Sequence, residues 1–324
     1  MKNASLFLKI ALLILLIFVV PAGFYINYKI ELLKERTYTK LAGELIHNLN
    51  NEEQLIKNNG IINAFFISDS DEIRNALINN DRDRAVKVLQ ETYKKFKKST
   101  RIKDLKVHIH TADVRSFIRS WKLEKFGDKL SDFRNTIVRV KETKEPVFNY
   151  EVGRMGLTLR SIVPILKKDR YLGSLEFIES FHNASKSFVA RGRNHLLLMN
   201  NSLLDIAVDL KNAPDVGSYK LSLDALNENF LKEAQKVDFD KLKKESYLLT
   251  DKYLFTYKQI KDIENNDVGI HLLAMPVKEV DMIVNGAERS LLIMTSIIIG
   301  LSLFVLILLI LLKIEYIEKK FNRR

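Results

Sequence analysis

Leu105-Lys106-Val107-His108-Ile109-His110, followed by Thr111-Ala112-Asp113-Val114-Arg115 and Ser116-Phe117-Ile118-Arg119-Ser120-Trp121, is the stretch on which the fold turns. Leu105, Val107 and Ile109 alternate with Lys106, His108 and His110, the period of a strand whose side chains point to opposite faces. Ala112 to Arg115 reads as a tight turn, after which Phe117, Arg119 and Trp121 fall on one face of a returning strand. Gly127-Asp128 punctuates the chain, and Leu130 to Val140 has a helical pattern. Three further strands follow at Val147–Val152, Gly156–Ile165 and Tyr171–Phe181, the last two joined by a charged turn at Lys167–Arg170.

On the N-terminal side the period changes to that of a helix. Tyr38, Leu41, Ala42, Leu45, Ile46 and Leu49 recur at spacings of three and four, an apolar stripe that packs on its own domain, on a second copy, or on both. Asn63–Phe66, Glu72–Leu77 and Arg84–Phe96 continue the helical pattern. On the C-terminal side a weaker version of the same order appears. His195–Asn200 reads as a strand, Ser222–Lys244 as mostly helix, and Tyr247–Thr250, Tyr253–Ile260 and Val268–Val277 as strands. Helices joined to antiparallel strands in this order make an α+β protein of two related modules.

Two apolar runs bracket these modules. Ile10–Ile26 is 17 residues without a charge and Ser290–Leu312 is 23. At about 1.5 Å per residue they measure roughly 26 and 34 Å, against a bilayer core of about 30 Å. With Asn27 and Tyr28 added, the first run also spans. A cleaved signal peptide ending near Pro21-Ala22-Gly23 is the rival reading. Lys313, Lys319, Lys320, Arg323 and Arg324 outnumber Glu315 and Glu318 after the second run, and Lys2 and Lys9 precede the first, which places both termini in the cytoplasm. The expected organisation is a cytoplasmic start (1–9), a span (10–28), a helical region (29–100), a membrane-distal module (101–181), a membrane-proximal module (182–289), a span (290–312) and a cytoplasmic tail (313–324). The formal net charge of +12 comes with no basic motif, so nucleic acid is not an expected partner; membrane lipid is. Having no cysteine excludes disulfides and thiolate metal sites.

The linked motifs His108–Asp113, Ser116–Trp121 and Gly127–Arg134 resemble those of the double Cache sensor family. So do Glu151-Val152-Gly153-Arg154-Met155-Gly156-Leu157-Thr158-Leu159-Arg160, Val163-Pro164-Ile165 and Gly173-Ser174-Leu175-Glu176-Phe177. The resemblance reaches from about Leu32 to Lys278 and is specific over His108–Phe177. It implies a long N-terminal helix carrying two PAS-like modules between two membrane spans, with the ligand in the distal module. Receptors of this family feed chemoreceptor, histidine kinase or cyclic-dinucleotide outputs. Only 12 residues follow the second span here, so the output is expected on a separate signalling protein, or the chain is a shortened receptor.

Enzyme motifs are absent: there is no G-x-S-x-G, H-E-x-x-H, P-loop or G-x-G-x-x-G, and no cofactor is expected. The chemistry lies in arginines beside aromatics. Arg119 and Trp121, with Phe117, suggest a pocket to which Arg134, Arg154 and Arg160 add forked donors for a carboxylate. A small anionic solute, a carboxylate or an amino acid, is the expected ligand. Amino-acid-binding members of the family also carry an Arg-x-Trp, but Lys122 stands here where they have a tyrosine. Against this stands pairing of Arg134 with Asp128 or Asp132, and of Arg160 with Glu151 or Glu176, as internal structure. His108 and His110 share a strand face and are candidates to line the pocket, or to bind a metal were Asp113 or Asp128 to join them; no metal is expected. His47, His182, His195 and His271 are scattered and read as structural. A homodimer through the Tyr38–Leu49 helix is expected. The rival function is an accessory subunit whose outer domain docks a receptor and binds no ligand.

Overall fold

A computed structural model describes the backbone of residues 2–99 and 106–321; side chains are described from residue 21 to 312, with gaps at 96–97, at 99–105 and at 302, 305, 306, 309 and 310. The chain divides into two compact units, residues 42–275 and residues 1–41 with 276–324.

Three helices come first: α1 (Lys2–Ser68), α2 (Asp71–Asn79) and α3 (Arg82–Ser99). Ser70 caps α2 by accepting the Ile73 N–H, and Asp71 and Glu72 place negative charge at its positive end. Then follow β1 (Lys106–Thr111), β2 (Ser116–Arg119), α4 (Asn135–Thr143), β3 (Val147–Gly153), β4 (Gly156–Lys167) and β5 (Arg170–Glu179). These strands form one antiparallel sheet in the order β2-β1-β5-β4-β3. The second set is α5 (His182–Ala190), β6 (Asn194–Asn200), β7 (Asp215–Val216), β8 (Tyr219–Leu221), α6 (Glu228–Ala234), α7 (Phe239–Glu245), β9 (Tyr247–Leu249), β10 (Tyr253–Lys261) and β11 (Asp267–Pro276). They form a second antiparallel sheet, β7-β8-β6-β11-β10-β9. Helix α8 (Val277–Phe321) ends the chain.

Each sheet buries apolar side chains because alternate residues turn inward. In the first, Val107, Ile109, Leu175 and Phe177 pack against Ala64 of α1, Ile73 and Ala76 of α2 and Leu89 of α3. The opposite face carries Ile162 beneath Ile137 and Val140 of α4. The second sheet packs Leu198, Ile270 and Leu272 against Phe230 and Leu242. Full burial of side chains of this size stabilises by roughly 1.5–3 kcal/mol each.

A missing side chain sets how closely α1 approaches the first sheet. A Cβ at Gly60 would collide with Ser161 Oγ and lie 2.9 Å from the Ser161 Cβ. Gly60→Val is therefore expected to cost about 1–3 kcal/mol by overpacking, read as a lowered urea midpoint. An unchanged midpoint would show that α1 can slide on β4.

Two sequence expectations change. Helix α4 starts at Asn135, with Leu130 in the turn before it. The shared face of Phe117, Arg119 and Trp121 is not formed. A register shift between Ile109 and His110 inserts Phe117 into the apolar core, while Arg119 pairs with His108 and Trp121 lies beyond the end of β2. The Leu41–Leu45–Leu49 stripe is buried within the chain itself, the first of the packings its spacing allowed.

In the smaller unit Lys34 of α1 pairs with Glu288 of α8 at 3.3 Å. Among the described side chains one helical stretch, Val277–Leu301, is long and apolar enough to cross a membrane by length and composition. It shares residues 290–301 with the expected second span. The expected first span, 10–28, lies within the backbone of α1, and the side chains of residues 1–20 are outside the described ones.

Candidate functional site

The face of the first sheet turned toward α4 holds a buried set of charges. His108 and His110 of β1 stand opposite Glu176 and Ser174 of β5, so the register alone brings them together. Arg160 projects from β4, which pairs with both β3 and β5, and Arg134 comes from the turn before α4. Glu176 Oε1 accepts from Arg134 Nη2 at 2.6 Å and from Arg160 Nη1 at 2.5 Å. Glu151 of β3 accepts from Arg134 Nε at 2.5 Å, and its other oxygen takes the Thr136 N–H at 3.2 Å and hydroxyl at 2.8 Å. That oxygen thus serves the first turn of α4, where the free N–H groups favour an anion.

Two guanidiniums and two carboxylates cancel. Burial opposes the charge on Arg134, but Glu176 and Glu151 outweigh it and hold its pKa above the ordinary arginine value. Burial likewise opposes ionisation of Glu176, and Arg134 and Arg160 overcome it, leaving the carboxyl well below its usual range. No charge is left over for the histidines. Burial first, then the neighbouring His110, pushes the His108 pKa well below 6.5, and burial lowers that of His110 despite Glu176.

His108 meets Glu176 Oε2 at 3.3 Å and Ser116 Oγ at 2.9 Å. His110 Nδ1 meets Ser174 Oγ at 2.8 Å, while its Nε2 is buried without a hydrogen-bond partner, 3.7 Å from Glu176 Oε2. The donor atoms of His108, His110 and Glu176 lie within 4.8 Å of one another, the one such trio among the described residues. The expected carboxylate companions, Asp113 and Asp128, are not part of it. A divalent cation there would face two guanidiniums already bound to the same carboxylate, so the arrangement suits hydrogen bonding better than metal ligation.

Arg119, opposite His108 across the β1–β2 pair, turns its forked hydrogen bonds elsewhere. Its two terminal nitrogens fork onto Asp128, both at 2.7 Å, and one also donates to the Lys125 carbonyl at 2.9 Å. The Asp128 side chain is 37% exposed. Burial, then Arg154 and Arg119, depress the pKa of Lys125, and Asp128 acts in the opposite direction. Arg154 itself is exposed in the β3–β4 turn. The Trp121 ring meets His108 edge-on at 5.9 Å and faces a cavity of about 1230 Å³. The candidate residues therefore separate. His108, His110, Arg134 and Arg160 form one buried network, Arg119 is a buried guanidinium forked onto the partly exposed Asp128, Arg154 is an exposed turn residue, Trp121 a cavity wall, and Phe117 part of the core.

Residues 35–280 match the family described as the double sensory domain of two-component sensor kinases. The chain belongs to this double Cache family. Among solved structures it is similar to the sensor domain of the Vibrio cholerae histidine kinase DctB, with 11% identity over 74% of this chain and 98% of that one, at TM-score 0.43. It is also similar to the ligand-binding domain of the Campylobacter jejuni chemoreceptor Tlp3 in complex with 4-methylisoleucine, with 13% identity over 77% and 94%, at TM-score 0.44. A third is the ligand-binding domain of the Pseudomonas fluorescens chemoreceptor CtaA in complex with L-isoleucine, with 12% identity over 78% and 98%, at TM-score 0.41. No curated protein matches the sequence.

This double Cache chain carries a second polar network that the sequence pattern did not reveal. Ser185 Oγ meets His195 Nδ1 at 2.7 Å, His195 Nε2 meets His271 Nδ1 at 2.8 Å, and His271 Nε2 meets the Tyr150 hydroxyl at 2.7 Å. Tyr150 donates to Glu53 Oε1 at 2.9 Å. A carboxylate can only accept, so every proton in the row has one consistent place. Tyr150 gives its proton to Glu53, each histidine donates from Nε2, and Ser185 donates into His195. Burial would raise the Glu53 pKa, but His271 and Lys258 hold it at about 2. Burial lowers both histidines, that of His195 strongly. The row joins α1, both sheets and α5.

Proposed function

We propose that this protein is a non-catalytic extracytoplasmic sensor that binds a small carboxylate-bearing solute in its first module, at Arg119. The observation carrying this reading is the unequal charge there. Arg119 and Lys125 both act on Asp128, with Arg154 acting on Lys125 in turn, and the partly exposed Asp128 carboxylate is one that a solute carboxylate can replace on the same guanidinium fork. The buried arginines 134 and 160 support the sheet beneath rather than the solute. Signal would pass through the helices at either end of the unit to a separate output protein. Both termini lie in the cytoplasm on this reading. A homodimer would use faces of α1 that Leu41, Leu45 and Leu49 leave free.

Thermal unfolding of the full chain in lipid nanodiscs, with organic acids and amino acids added singly, tests the proposal. A true ligand at one hundred times its Kd stabilises by about 2.7 kcal/mol. Arg119→Met is expected to abolish the shift, and Asp128→Asn to tighten binding by removing the competing carboxylate. A ligand whose affinity ignores both substitutions would refute the site. The mutual charge pairing of Arg134 and Arg160 with Glu151 and Glu176 favours a second reading, an accessory subunit that docks a receptor; a folded chain that no solute stabilises would select it.

A further inference from the structure

The cavity beside Trp121 is separate from Arg119 and has its own chemistry. Its walls come from α3, the start of β1, the start of β4 and the end of β5, with Leu197 added from β6 and Ser222 from just past β8. Leu89, Leu157, Phe177 and Ile178 make it apolar, and Tyr93 and Trp121 add aromatic surface. Within these walls stands Glu179, whose Oε2 is buried with no hydrogen-bond partner. Glu179 has no ion-pair partner among the described residues.

We propose that this cavity is a second ligand site, which takes a small organic amine with an apolar body and pairs its ammonium with Glu179. The unmet group in the cavity is an acceptor, and an ammonium supplies up to three donors and the opposite charge. Aromatic walls favour the same cation. A volume of about 1230 Å³ has room for an aryl- or alkyl-amine. Among the described residues, the other charged or titratable groups facing the cavity are Tyr93 and Lys94 of α3, Lys106 of β1, His182 and Lys186 of α5, and Asp224 beyond β8. None of them moves the Glu179 pKa, which burial alone lifts to about 7. Binding an ammonium needs the ionised carboxylate, so the carboxyl proton leaves to solvent as the amine docks.

The test is calorimetry on the full chain in nanodiscs with phenethylamine, and with 2-phenylethanol as the uncharged isostere. Phenethylamine is expected to bind about tenfold more tightly at pH 8 than at pH 6, following the ionised fraction of a group near pH 7. At pH 7 it should release about half a proton, measured by comparing buffers of different ionisation enthalpy. Glu179→Gln should remove the pH dependence and most of the affinity, and 2-phenylethanol should show neither. Proton release is read on the unaltered chain, so the result stands even if the variant folds poorly. Amine binding that is absent at pH 8, stronger at pH 6, or equal for amine and alcohol would overturn the proposal. Arg119→Met should leave it intact, so the two sites can fail independently.

Discussion

Glu176→Gln is expected to destabilise the sensor unit by about 3–5 kcal/mol, the range for breaking a buried ion pair from one side. Glu176 is fully buried and takes a hydrogen bond from both Arg134 and Arg160 on one oxygen. An amide keeps the shape but removes the charge, leaving two buried guanidiniums with Glu151 alone. The cost follows from that stranded charge rather than from the net strength of the bonds. Replacing the whole set with apolar residues of similar size would therefore be far milder. Urea unfolding of the full chain, compared between Glu176→Gln and the combined variant Glu176→Leu, Glu151→Leu, Arg134→Met and Arg160→Met, separates these contributions. A loss below about 1 kcal/mol in the single variant would mean that water reaches the cluster.

Stability is expected to fall steeply as pH drops below 6.5. His108, His110, His195 and His271 all have folded pKa values below 6.5, chiefly through burial. Below 6.5 the unfolded chain takes up protons that these folded histidines refuse, so their contribution is complete above 6.5 and is lost toward the folded values. Each adds a limiting slope of about 1.4 kcal/mol per pH unit. Glu176 and Glu53, lowered relative to 4.5, lose their stabilisation at still lower pH, in the same direction. Glu179 opposes them: its pKa of about 7 means that protonation favours the folded state between 7 and 4.5. One group against four histidines leaves acid destabilising. Unfolding midpoints from pH 7.5 to 5.5 should fall monotonically, and substituting His195 and His271 together by glutamine should flatten the slope. A flat profile in the unaltered chain would show that the histidines are hydrated when folded.

Much of the fold was legible because its signals are local. The alternation at Val107–Ile109 and the charged turn at Lys167–Arg170 predict strands that form where expected. The three-four spacing of Leu41, Leu45 and Leu49 predicts the buried stripe of α1. Strands β7 and β8 and helix α5 escaped notice, since two or three residues of strand carry no period and α5 lacks a side-chain cap.

The candidate site divided along the same line. Sequence spacing alone determined that His108 and His110 share a face, and the arginines could be singled out by type. Their roles depended on partners 16 to 42 residues away for Arg134 and Arg160, and 76 residues apart for His195 and His271. Such distances carry no periodic signal. A single bulged residue in the β1–β2 hairpin sent Phe117 into the core and parted it from Arg119. Local periodicity thus determined the α+β elements, and an uncharged apolar run pointed to a spanning helix at 290–312, of which residues 290–301 fall within the apolar stretch Val277–Leu301. The sequence offered Glu151 and Glu176 as partners of Arg160, but only the tertiary structure decided that Arg134 joins them and which carboxyl is left unpaired, because burial and pairing are set by strand register and by residues far apart in the chain.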